Sequence, residues 1–141
     1  MKNIRRGVFE TNSSSCHSVS LDMTADVLDT IPPTTCIVIP AIDFQNCECR
    51  KYADVLTKAS YAAQSALLSD PPEMFERIEM FKRVVQKQTG LMVILPQARD
   101  CDVQNDCGQQ DIEEIIFKDD EALRMFIFNP KSNVHIVFQG M

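Results

Sequence analysis

Four glycines in 141 residues, none in a Gly-x-Gly-x-x-Gly or Walker arrangement, exclude a glycine-rich phosphate cradle. Tryptophan is absent, and no apolar run approaches the roughly 18 residues that a membrane-crossing helix needs, so no membrane partner is expected. Neither a His-Glu-x-x-His zinc signature nor a Gly-x-Ser-x-Gly nucleophile elbow occurs. Basic residues are outnumbered, 14 Lys and Arg against 20 Asp and Glu, for a net charge of −6. Binding nucleic acid draws on cations that displace counterions from phosphates. Only Lys2, Arg5, Arg6 and scattered helix residues offer that here, so no nucleic-acid partner is expected. Met1 to Arg6 is basic like a signal-peptide head, yet the apolar run of a secretory signal does not follow it. A cytoplasmic location is the expectation. In a reducing compartment the six cysteines read as thiols or metal ligands and not as disulfides.

What is present is a globular composition, 45% hydrophobic and 24% charged, sized for a single domain over residues 1–141. Val19, Leu21 and Met23 alternate with Ser18, Ser20 and Asp22, the period of a half-buried strand, and His17 falls on its apolar face. Thr34 to Ile39 and Leu91 to Leu95 are continuous apolar runs that read as interior strands covered on both faces. Between them the spacing predicts two helices. The first turns Tyr52, Val55, Leu56, Ala59, Ala63 and Leu67 inward and leaves Lys51, Asp54, Lys58 and Gln64 on other faces. The second, with Asp70 as N-cap, buries Met74, Ile78, Phe81 and Val85 and ends at Gly90. Asp26 to Ile31 reads as a helical turn stopped by Pro32-Pro33, and residues 112–117 fit either a strand or a helical turn. Asp119 or Asp120 caps a third helix that ends at Asn129-Pro130, and a last strand sets Val134, Ile136 and Phe138 against His135 and Val137. The expected class is α+β, a mixed or antiparallel sheet of four to five strands packed with about three helices.

Two clusters carry candidate chemistry. Thr11, Asn12, Ser13, Ser14, Ser15 and His17 form a polar segment leading into the first strand. The hydroxyls offer nucleophiles or anion donors, and His17 offers a base or a hydrogen-bonding anchor. Residues two apart on a strand lie about 7 Å apart, too far for a direct serine–histidine bond without a turn. The segment therefore reads as a self-satisfied Asx or Ser turn with a buried histidine, or as a ligand-binding loop with Lys58, Tyr61 and Asn129 nearby; no catalytic residue is assigned. Cys47, Cys49, Cys101 and Cys107 would supply four thiolates to a tetrahedral zinc if their loops met, although Cys-x-Cys with Cys-x5-Cys departs from the usual knuckle. No cofactor is otherwise implied. Asp100-Cys101-Asp102 opens like a calcium loop, but Asn105 stands where the loop requires glycine.

The segment from Arg5 to Ser18 resembles the opening of a group of small tailed-bacteriophage proteins that begin with Phe-Glu-Thr-Asn-Ser-Ser-Ser-x-His-Ser. Lys58-Ala59-Ser60-Tyr61 and Phe126 to Ser132 are similar to later segments of that group. Cys16 stands where Ser or Thr is usual, and the end, Phe138 to Met141, lacks that group's polar tail. The resemblance implies a phage origin and no particular reaction. Between Asp100 and Glu121 the chain carries nine acids with Lys118 as their one cation, a stretch read as either a solvated face or a docking surface. The leading expectation is a phage-encoded, non-enzymatic binding protein that engages a host or phage protein, such as a defence factor, through this acidic surface. The alternative is nucleotide or small-molecule binding at the Asn12–Ser15 and His17 loop.

Overall fold

Alternation in the first described strand, β1 (Ser15–Ser20), sends His17 inward and leaves Ser18 and Ser20 exposed. The computed structural model describes residues 15–23, 36–42, 44, 50–101 and 112–138. Their remaining elements are β2 (Cys36–Val38), β3 (Arg50–Tyr52), α1 (Val55–Leu67), α2 (Glu73–Thr89), β4 (Met92–Ile94), a single 3-10 turn (Ala98–Asp100), α3 (Ile112–Ile116), α4 (Asp120–Phe128) and β5 (Asn133–Phe138). This is an α+β fold. β5 lies between β1 and β3 in an antiparallel sheet, with His17 opposite Ile136 and Tyr52 opposite Val134. β2 and β4 form a separate parallel pair.

The helices are set by local chemistry. Asp54 caps α1 by accepting the Thr57 N–H at 3.0 Å and the Thr57 hydroxyl at 2.7 Å. Asp119 caps α4 by accepting the Ala122 N–H at 2.8 Å. Gly90 ends α2 in the left-handed conformation, φ 74°, where a side chain would be strained. Asp70 does not cap α2 through its side chain; its carbonyl accepts the Met74 N–H instead, and Pro72 holds the cap position. Residues 112–116 settle as helix, which makes four α-helices among the described residues where about three are expected, and the turn expected at Asp26 to Ile31 lies outside the described residues.

The core sits between the antiparallel sheet and the helices, with Phe44, Tyr61, Phe81, Ile116, Leu123, Phe126 and Ile136 among its buried side chains. α1 runs through its middle. Ala59, Ala62, Ala63 and Ala66 let neighbouring elements approach closely, and every residue from Lys58 to Ala66 is buried. From Lys58 to Ala66 the helix is enclosed on all sides, so Lys58 and Gln64 are inside, contrary to the helical-wheel expectation, while Leu56 in the first turn is exposed. Tyr52 belongs to β3 and not to the helix.

The runs around β2 and β4 are not covered on both faces. Ile37 is buried and Val93 packs on the core, but Val38, Met92 and Ile94 face outward, at 60%, 65% and 44% exposure. Continuous apolar sequence hides this alternation, because both faces of the pair are built from similar side chains. Among the described residues no helix is long and apolar enough to cross a membrane.

Candidate functional site

His17 is buried at the β1 side of α1. Its Nδ1 shares a 2.9 Å hydrogen bond with the Tyr61 hydroxyl, and the two rings meet edge to face with centroids 5.6 Å apart. Phe44 also meets Tyr61 edge to face, with centroids 5.2 Å apart, so the phenol is fixed by packing as well as by its hydrogen bond. Removal from water disfavours the charged imidazole and lowers its pKa to about 4. At neutral pH the ring is uncharged.

One turn before Tyr61, Lys58 lies wholly buried. Its Nζ donates to the Asn129 carbonyl at 2.7 Å and to the Ser132 carbonyl at 2.9 Å. These oxygens belong to the link between α4 and β5, at the negative end of the α4 dipole, where a cation is favoured. Asn129 folds the same link on itself: its Oδ1 accepts the Lys131 N–H at 2.9 Å and its Nδ2 donates to the Asp22 carbonyl at 2.8 Å. Ser132 Oγ accepts the Asp22 N–H at 2.9 Å. A polar seam therefore joins the end of β1, α1 and the α4–β5 link through the core.

The other polar residues of α1 play the same part for the segment after β2. Ser60 Oγ donates to the Pro40 carbonyl at 2.6 Å and accepts the Ile42 N–H at 3.1 Å, and Gln64 Nε2 donates to the Ile42 carbonyl at 2.8 Å. Irregular backbone cannot satisfy itself, so buried side chains supply its partners.

Of the sequence-predicted site residues, His17, Lys58, Tyr61 and Asn129 come together as two hydrogen-bonded pairs along α1. Ser15 lies in β1, and Thr11, Asn12, Ser13 and Ser14 lie outside the described residues. Asp22, Ser60, Gln64 and Ser132 belong to the same polar framework but were not singled out by motif; buried polar positions on an alanine-rich helix were the available signal. Among the zinc candidates, Cys47, Cys49 and Cys107 lie outside the described residues. Cys101 is half-buried, its Sγ 3.4 Å from the Gln97 carbonyl, and burial together with Asp100 pushes its thiol up to about 11. It is a thiol at neutral pH. Among the described residues no group of three or more His, Cys, Asp or Glu is placed to hold a metal ion.

The acidic stretch is described in part, residues 102–111 lying outside. α3 turns Ile112 and Ile116 into the core and Glu114 outward, and α4 begins with Asp119, Asp120 and Glu121 exposed. Asp120 receives a two-pronged pair from Arg83 at 2.7 and 2.8 Å, and Glu121 one from Arg124 at 3.1 and 2.8 Å. Each arginine lowers the pKa of its carboxylate, chiefly by hydrogen bonding. No protein-family model matches the chain, and no curated protein or solved structure matches it either.

Proposed function

We propose that this chain is a phage-encoded binding protein that engages a basic surface of a host or defence protein through the acidic ledge formed by α3 and the start of α4. The observation that carries this reading is the division of labour between the two candidate regions. The imidazole of the polar motif is committed to the core, whereas Glu114, Asp119, Asp120 and Glu121 stand in solvent on helices whose other faces are buried. Their arginine partners do not oppose docking. Solvent-exposed ion pairs contribute little net stability, so a partner's Lys or Arg can replace Arg83 or Arg124 at little cost. Electrostatic complementarity of this kind sets on-rate and specificity.

Affinity capture from host lysate with the native chain, in parallel with the Glu114→Gln, Asp120→Asn, Glu121→Gln variant, tests the reading. A partner retained by the native chain, weakened by salt and lost with the variant is expected. Equal retention by both chains counts against it.

The convergence of His17, Tyr61, Lys58 and Asn129 supports a second reading, in which the loop of Asn12 to Ser15 with His17 binds a nucleotide or other small molecule. A thermal-shift screen of nucleotides and cyclic dinucleotides raises the melting temperature in proportion to ligand excess if that is so. No shift with any of them removes it.

A further inference from the structure

Besides its pairing with β5, β1 is joined to the helices and the α4–β5 link, among the described residues, by two side-chain ties of different chemistry. Near its start, His17 is tied to Tyr61 of α1. Just beyond its end, the Asp22 backbone is tied to Ser132 Oγ and Asn129 Nδ2, and Lys58 anchors the carbonyls of the same link. The first tie encloses the imidazole away from water, which disfavours its charged form whichever ring nitrogen carries the proton in the neutral state. The second uses amide, hydroxyl and main-chain groups that do not titrate in mild acid. β1 is also the outer strand of its sheet among the described strands, so it can leave β5 without breaking the pairing of β5 with β3.

We propose that the His17–Tyr61 contact is an acid-released latch, whose protonation frees the start of β1, Ser15 to Ser18, while the end of the strand stays docked. Among the described residues, titratable groups come toward it from α1, from β5 and from the end of β1. From α1 come Tyr61 and, one turn away, Lys58, whose ammonium is bound to the carbonyls of the α4–β5 link. From β5, the residue opposite His17 is Ile136, and His135 lies on the other face of the sheet opposite Ser18. Asp22 follows β1, and its tie to Ser132 and Asn129 runs through its main chain.

The sign follows from proton counts. The closed latch binds no proton down to about pH 4, whereas an exposed imidazole binds one below its ordinary 6.5. Acid therefore favours the open form, whose population rises about tenfold per pH unit from about pH 6 to about pH 4. The freed stretch leads directly out of the polar motif, so the latch gives the chain a means of presenting that strand only in acid.

Residue-resolved amide hydrogen exchange on the full chain, expressed as protection factors between pH 7 and pH 4.5, tests the latch. Protection at β1 amides up to Ser18 should fall about tenfold per pH unit while amides of α1, β3 and β5's inner pairing hold. His17→Gln should flatten that response and His135→Gln should leave it intact. If His17→Gln does not fold, Tyr61→Phe serves in its place: it keeps the ring, removes the hydrogen bond, and should lower β1 protection at every pH with the slope retained. Flat β1 protection, or a fall shared equally by all core amides, overturns the proposal.

Discussion

The antiparallel sheet with α1 and the parallel pair of β2 and β4 break opposite halves of the rule that apolar groups go in and polar groups stay out. Around α1 the chain buries a lysine, a histidine, a glutamine and several hydroxyls, and meets each with a hydrogen-bond partner. At the parallel pair it leaves Val38, Met92 and Ile94 in water. The contrast teaches where specificity resides. A satisfied polar seam fixes the relative placement of three chain segments, because a slipped arrangement leaves buried donors and carbonyls without partners. An exposed apolar face imposes no such demand.

The strongest test of this contrast is Lys58→Ala. It removes two hydrogen bonds at the end of α4, leaves the Asn129 and Ser132 carbonyls wanting, and opens a cavity beside Ala59 and Tyr61. A loss of roughly 3–5 kcal/mol of unfolding free energy is expected by urea denaturation.

Next comes pH. Because burial lowers the His17 pKa to about 4, the stability that the neutral ring contributes is complete above the unfolded value of 6.5 and is lost as pH falls toward 4. The loss reaches at most about 3 kcal/mol, and is smaller to the extent that β1 opens alone. Denaturant midpoints measured from pH 7 to pH 4 check this, with His17→Gln showing the weaker pH dependence.

Smaller again is Asp119→Ala, which deletes the α4 N-cap and should cost about 1 kcal/mol with the fold intact by circular dichroism. Smallest is Met92→Gln on the open face, expected to move stability by no more than about 0.5 kcal/mol. If Met92→Gln instead costs as much as Lys58→Ala, the two regions do not differ in the way described.

The sequence made parts of this legible. Alternation from His17 to Met23 placed the imidazole inside, and Gly90 and Asp119 marked helix ends by chemistry that acts locally. The burial of Lys58 and Gln64 is not readable from a helical wheel, which judges a side chain by its polarity, because it depends on distant carbonyls. The partners of Lys58 lie 71 and 74 residues away in the chain. β3 was missed because three residues beside a helix cap carry no measurable period. The outward face of β2 and β4 was unreadable because Cys36-Ile37-Val38 and Met92-Val93-Ile94 are apolar at every position.

The account depends most on His17 being an uncharged, enclosed anchor, and a nuclear magnetic resonance titration of its imidazole in the folded chain tests that directly. The account predicts a ring that stays neutral through pH 6 and titrates near pH 4 with the β1 amides responding in step. An imidazole that takes up its proton at pH 6.5 or above, with β1 unmoved, would contradict it.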